Sequence, residues 1–190
     1  MNIFYLSEDQ KTCAEMHNDK HCVKMIVEYA QLLSTAHRVL DGEEYYDKTK
    51  NGRRIKRWRM NDEYMEEGLM KASHVNHPSN QWLRKSKANY EWLLGLWIRL
   101  LNEYTHRYGK THKCIERMPY FASAPKNIPD APFTEPTQAM PEDVKRGDSS
   151  IIAYRNYYIF YKYKMAKWTK RRIPDWWEWW GLEEDNAKYS

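Results

Sequence analysis

Long apolar runs are missing from this chain. Nothing in it approaches the roughly eighteen consecutive apolar residues of a membrane span, so no spanning helix is expected. Met1 to Gln10 lack a basic stretch followed by an apolar block, so no secretory leader is expected either. Cysteine is scarce: Cys13, Cys22 and Cys114 form an odd set without a CxxC spacing. That argues against a disulfide framework and a thiolate zinc knot, and favours a reducing, cytoplasmic compartment. Glycine is also sparse, at seven residues, and builds no GxGxxG, GxxxxGK or GxSxG pattern. Rossmann dinucleotide binding, P-loop phosphate chemistry and the hydrolase nucleophile elbow therefore have no support.

Aromatic side chains and charge are abundant instead. The 190 residues include nine Trp, fifteen Tyr and four Phe, and 31 Lys+Arg against 26 Asp+Glu give a net charge of +5. The length predicts a single domain over residues 1–190. A core of that size cannot bury every ring, so some must reach a surface where they can stack on bases or fill a partner's pockets.

The pattern predicts an all-α fold, a compact single-domain helical bundle with an extended N-terminal segment (Asn2 to Leu6) and a long proline-rich loop. Val23, Ile26, Val27, Ala30, Leu33, Ala36 and Leu40 recur at helical steps and mark a helix from Lys11 to Leu40. Asp41-Gly42 ends it. Residues 43–60 read as irregular, with a turn at Asn51-Gly52. His74 to Pro78 is a break, and Pro78 suits the first turn of a new helix. That helix runs from Ser79 to Tyr108, with Trp82, Leu83, Tyr90, Leu93, Leu94, Trp97, Leu100, Leu101 and Tyr104 on its apolar face and Gly109 as its stop. Residues 119–147 hold six of the eight prolines and read as a long loop. A last helix spans Ser149 to Arg172. Pro174 precedes an aromatic and acidic tail, 175–190, whose Trp176, Trp177, Trp179 and Trp180 are expected to pack back on the domain.

Two constellations can carry chemistry. His17, His21, Lys24, Glu28, Gln31, Thr35 and Arg38 follow one another at steps of three or four and share one helix face. His, Gln, Thr and a single Glu suit a recognition or catalytic face better than a solvated one, which favours Lys–Glu pairs. His17 and His21, joined by His74 and His77, are a weak metal-ligand pattern; no Glu follows His17, so HExxH is absent, and neither a metal nor a cofactor is expected. The second constellation is segregated basic charge. Lys48, Lys50, Arg53, Arg54, Lys56, Arg57 and Arg59 include no acid among them. Arg155, Lys162, Lys164, Lys167, Lys170, Arg171 and Arg172 likewise stand between Ser149 and Pro174 without an acid, interleaved with Tyr154, Tyr157, Tyr158, Tyr161, Tyr163 and Trp168. Cations neutralise phosphates and rings stack on bases, so nucleic acid or a nucleotide is the expected partner. The expected contacts are Arg53, Arg54, Lys56, Arg57, Arg155, Tyr158, Lys162, Lys164, Trp168, Lys170 and Arg171.

Asp19-Lys20-His21, with Glu28 seven residues after the histidine, His74-Val75 leading to Trp82-Leu83-Arg84-Lys85, and the basic aromatic C-terminal region together resemble the pyrimidine-dimer DNA glycosylases of the phage endonuclease V type. The resemblance implies a mostly helical domain with its N-terminal segment threaded between helices, acting in the host cytoplasm if phage-encoded. It implies an N-terminal α-amine that attacks the sugar C1′ of a damaged nucleotide to form a Schiff base. A carboxylate, here Glu28, stabilises the sugar cation, and β-elimination then cleaves the strand. α-Amines as a class titrate near pH 8, so part of them is neutral around pH 7. Asn2 stands where the family has Thr, and its larger side chain should hinder removal of Met1. Val27 and Gln31 stand near Glu28 where the family carries arginines. The candidate catalytic residues are Met1, Asn2, His21 and Glu28, and the candidate substrate contacts are Lys24, Gln31, Arg38, His74, Asn76 and His77. The expected partner is DNA with a damaged or modified base, bound by a monomer. A non-catalytic nucleic-acid-binding protein and an enzyme acting on a free or modified nucleotide are the alternatives.

Overall fold

The computed structural model describes residues 1–177. It is mainly helical, with one two-stranded antiparallel sheet that the sequence pattern did not predict. In chain order the elements are α1 (Gln10–Met16), α2 (Asp19–Asp41), β1 (Glu43–Lys48), β2 (Arg54–Arg59), α3 (Glu63–Gly68), α4 (Pro78–Arg84), α5 (Lys87–Tyr108) and α6 (Ser150–Lys162). No helix among the described residues is long and apolar enough to cross a membrane.

Each of the first two expected helices is two helices. The break between α1 and α2 falls at His17-Asn18, where the Asn18 side chain accepts the backbone N–H of His21 at 2.9 Å and caps α2. Ser86 does the same for α5 after α4 ends. The inward face of α2 also differs from the expected one. Cys22, Met25, Ile26, Tyr29, Ala30, Leu33 and Ala36 are buried, whereas Val23 and Val27 are about two-fifths exposed, at 39% and 40%. α2 packs on α4 and α5, and α1 also packs on α5. Trp97 of α5 is fully buried and its indole donates to the carbonyl of Ile26 at 3.0 Å.

Residues 43–59 are a β-hairpin rather than irregular chain. Glu44 faces Trp58, Tyr46 faces Lys56 and Lys48 faces Arg54. Thr49 N–H donates to the carbonyl of Arg53, and Gly52 closes the turn at φ 73°, a left-handed conformation that glycine adopts without strain. The proline-rich segment is extended apart from short 3-10 turns at Lys113–Phe121 and Glu142–Val144. Its backbone is tied to the helices: Asn89 accepts Thr134 N–H, Ser86 Oγ donates to the carbonyls of Ala131 and Pro132, and Asp41 caps the N–H groups of Lys126 and Asn127.

The last helix stops at Lys162, ten residues short of the expected end, and passes through a 3-10 turn at Tyr163–Met165. Trp168 is then buried and donates to the carbonyl of Met16. Trp176 and Trp177 pack against the core, as their apolar area demands. Trp179, Trp180 and the acidic part of the tail lie outside the described residues.

Candidate functional site

The N-terminal segment is an internal strand of chain. Ile3, Phe4, Tyr5 and Leu6 are at most 4% exposed, so their backbone groups need protein partners. Three side chains supply them. Tyr29 Oη accepts the N–H of Phe4 at 3.1 Å. Cys13 Sγ accepts Leu6 N–H and donates to the carbonyl of Phe4. The Arg155 guanidinium donates twice to the carbonyl of Leu6. The Tyr29 hydroxyl is itself held by His17, whose Nδ1 donates to the Cys13 carbonyl, leaving Nε2 to accept from Tyr29 at 3.1 Å.

This anchoring delivers the α-amine of Met1 to α2. The amine nitrogen lies 3.8 Å from Glu28 Oε2, and Lys24 Nζ lies 3.1 Å from Glu28 Oε1. The Glu28 side chain is one-fifth exposed and the Met1 side chain 8% exposed, and both residues as a whole are half-buried. Asn2, between Met1 and the buried Ile3, is half-buried.

Residues 71–77 wall the site. Gln31 donates to the carbonyl of Lys71, Thr35 Oγ1 accepts Ser73 N–H, and buried Asn80 donates to the carbonyls of Ser73 and His74. His74 holds φ at 50° and shares a 2.6 Å hydrogen bond with Ser73. His77 caps α4 through Nδ1. Partial burial, the positive charge of the amine and that of His74 lower the His77 pKa, while Glu28 opposes the shift. The amine, Glu28, His74 and His77 therefore share one electrostatic neighbourhood. A cleft of about 510 Å³ lies between β2 (Ile55 to Trp58) and Ala72 to Asn76; His74 lines it, and Met1 and Glu28 do not.

The polar stripe on α2 is thus open only at its centre. At its start, α6 covers it. His21 is buried, stacks on Phe4 at 4.2 Å and shares a 2.6 Å hydrogen bond with Tyr158. It lies two turns, roughly 10 Å, from Glu28 along the helix. Burial lowers its pKa to about 3, so it is a neutral core residue, not a catalytic one. At the far end, Arg38 is 3% exposed and donates to the carbonyls of Met70, Trp58, Glu66 and Leu69 and to the Glu66 carboxylate. It joins α2, the hairpin and α3 and has no donor to spare for substrate. Gln31 positions the 71–76 wall through its amide.

The expected C-terminal nucleic-acid surface is split between core and solvent: Arg155, Lys162 and Arg171 are half-buried, and Lys164 and Lys170 are exposed. Tyr158 is fully buried and Trp168 nearly so. Arg155 is committed to Leu6, and Arg171 is paired with Glu103 and Glu15. Lys162 lies over Tyr157 and Lys164 near Tyr163, while Lys170 reaches the His106 carbonyl. Tyr154, Tyr158 and Trp168 enter the core, while Lys164, Lys167, Lys170 and Arg172 stay exposed with Tyr161 and Tyr163. The hairpin cations Arg53, Arg54 and Lys56 remain exposed, and Arg57 and Lys56 line the cleft with Asn76.

No group of three or more His, Cys, Asp or Glu side chains that could hold a metal is formed among the described residues. Both ring nitrogens of His17 are engaged within the core. Sequence reasoning missed the buried Glu103–Arg107 pair. Arg107 bonds Glu103 at 2.6 Å and Asp19 at 2.9 Å, linking α5 to α2. Its i,i+4 spacing was the available signal.

No known protein family, characterised protein or solved structure matches this chain.

Proposed function

We propose that this protein is a DNA-base-processing enzyme of the glycosylase and abasic-site lyase kind, using the Met1 α-amine as nucleophile and Glu28 as its carboxylate. The observation that carries the reading is the 3.8 Å approach of that amine to Glu28, produced by burying the four residues that follow Asn2. An amine held beside a carboxylate is an uncommon arrangement for a chain terminus, which ordinarily frays into solvent. It suits attack on a sugar C1′. The nitrogen lone pair forms the N–C1′ bond as the glycosidic bond breaks and the base departs with that bond's electron pair. The nitrogen then loses a proton, and its lone pair opens the sugar by breaking C1′–O4′, with O4′ protonated, to leave an N=C1′ iminium. Glu28 stabilises the cationic sugar, then accepts the C2′ proton as the C3′–O bond breaks and the 3′ phosphate leaves. Lys24 supplies a second cation beside Glu28, on the open side of the site. A nucleotide must leave the base stack to reach this amine, so the substrate is an extruded or abasic nucleotide.

Borohydride trapping on a duplex with an abasic site tests the reading. Reduction of the imine fixes a covalent protein–DNA adduct on the peptide that begins with Met1. Glu28→Gln should leave the fold intact and lower product formation by roughly a hundredfold or more, the usual scale for a lost acid–base group. Failure of the wild-type protein to form any adduct rejects the amine mechanism.

A further inference from the structure

We infer that the free edge of β2 and residues 72–76 form a phosphate-binding groove that holds the DNA strand flanking the reacting nucleotide, with Lys56 and Arg57 as its phosphate ligands. The inference deepens the proposed function and rests on it for the identity of the polymer.

The hairpin is an unusual object for this fold. It projects from the C-terminal end of α2 and is anchored at its base by Arg38, which grips the Trp58 carbonyl. Between Glu43 and Arg59 it carries seven cations against three carboxylates. The excess is not neutralised internally: among the described residues Lys56–Glu44 is the ion pair within the hairpin, at 2.9 Å, while Arg54 and Arg59 lie over the rings of Tyr46 and Tyr45. Stacking on a ring fixes a guanidinium without consuming its charge.

Pairing geometry decides which way the edge points. Thr49 and Arg53 form a hydrogen-bonded pair, so Arg54, Lys56 and Trp58 occupy the alternate positions whose N–H and C=O turn away from β1. The Trp58 carbonyl confirms the direction, because Arg38 meets it from outside the sheet. The Lys56 amide therefore faces the groove. The groove, about 510 Å³, has no carboxylate on its walls. Lys56, Arg57 and Trp58 line one side and His74 and Asn76 the other. Arg57 and Lys56 leave the strand on opposite faces of its edge, and Lys56 Nζ is held by Glu44 at 2.9 Å, an exposed pair worth little that a phosphate can displace. Arg57, a Lys56 that exchanges Glu44 for phosphate, an outward amide and Trp58 suit a sugar–phosphate unit with its base, and they do not suit an acidic or apolar peptide, which would leave Trp58 or the cations unmatched. α2 joins the groove to the amine site: Gln31, three residues after Glu28, donates to the Lys71 carbonyl, and Thr35 accepts the N–H of Ser73 on the groove wall.

The test separates binding from chemistry by using a fluorescein-labelled duplex with one tetrahydrofuran residue, an abasic analogue that cannot form a Schiff base. Its dissociation constant is measured by anisotropy across a salt series. Removing one cation that neutralises a phosphate lowers the slope of log Kd against log salt by about 0.9. The double variant Lys56→Gln, Arg57→Gln should lower it by about 1.8, while Lys110→Gln, at the far end of α5, should leave it unchanged. Asn76→Asp leaves the hairpin untouched and should weaken binding at low salt by tenfold or more. An unchanged slope in the double variant, unchanged affinity for Asn76→Asp, or no salt-dependent binding by the wild type overturns the groove. A trapped adduct on natural abasic DNA with an unchanged slope removes the groove and leaves the lyase. A lowered slope without an adduct removes the lyase and leaves the groove.

Discussion

Acidification from pH 7 to pH 5 should remove about 6 kcal/mol of folding stability, and three buried histidines are the cause. His17, His21 and His37 are at most 4% exposed, and each meets a tyrosine hydroxyl: Tyr29, Tyr158 and Tyr90 respectively. Burial lowers their pKa values to about 4, 3 and 4. Arg107 adds to the effect at His17, and His17, Lys162 and Lys24 add to it at His21, while Asp41 opposes it at His37. In the unfolded chain a histidine titrates near 6.5. Above that value both states are neutral and no penalty exists. Below it the unfolded state takes up a proton that the folded state refuses, so stability falls with pH until the folded value is reached. Each histidine then costs about 0.8 kcal/mol at pH 6 and about 2 kcal/mol at pH 5. Because all three folded values lie below 5, the loss at pH 5 is governed by the unfolded value. About 6 kcal/mol is comparable to the whole stability of an ordinary domain.

The carboxylates do not enter this window. At Asp19 and Glu103 burial opposes ionisation, but hydrogen bonds from Thr169 and Arg107 at the first, and from Arg171 and Arg107 at the second, outweigh it and hold both below the ordinary range. Their stabilisation is present above the ordinary carboxylate value and is lost only at lower pH. Urea unfolding at pH 7, 6 and 5, followed by tryptophan fluorescence at constant ionic strength, reads the effect. With a slope of about 2–3 kcal/mol/M the midpoint should fall by roughly 2 M or more between pH 7 and 5. A midpoint constant over that range would refute the neutral, buried assignment of these rings.

Other perturbations separate the site from its supports. Tyr29→Phe removes the acceptor of Phe4 N–H and the donor to His17, costing about 1–3 kcal/mol by urea unfolding and slowing borohydride trapping by loosening Met1 from Glu28. Glu103→Ala leaves the fully buried Arg107 with Asp19 as its one carboxylate and an unmet Nε–H, and should cost about 1–3 kcal/mol, while abasic-site cleavage by the remaining folded protein is unchanged. Gly109→Ala forces a side chain to φ 64° at the end of α5, where nothing crowds it, so thermal unfolding should show only the left-handed penalty of about 1–2 kcal/mol. Glu28→Gln should change thermal stability by no more than about 1 kcal/mol, since a partly exposed ion pair contributes little, and a larger loss would mark Glu28 as structural.

Periodicity and punctuation carried much of the helical layout: the apolar steps from Tyr90 to Leu101 and the stop at Gly109 are local signals and appear where expected. The extended N-terminal segment was legible too, because Ile3 to Leu6 include no charged residue to favour exposure. The caps at Asn18 and Ser86 were legible in principle, yet the apolar pattern runs straight through both, since helices joined at a tight corner can bury the same face. Composition was a poor guide to the basic, aromatic C-terminal region. Whether Tyr158 stacks on a base or fills the core depends on what α2 and Phe4 leave open, and that is settled by packing, not by neighbours in sequence. The same holds for the α2 stripe: spacing put His21, Glu28 and Arg38 on one face, but only the arrival of α6 at one end and of α3 and the hairpin at the other left Glu28 uncovered. The meeting of Met1 with Glu28 is the clearest case. Twenty-six residues stand between them, and they meet because buried backbone groups at Phe4 and Leu6 must find hydrogen bonds, which Tyr29, Cys13 and Arg155 provide from three different helices.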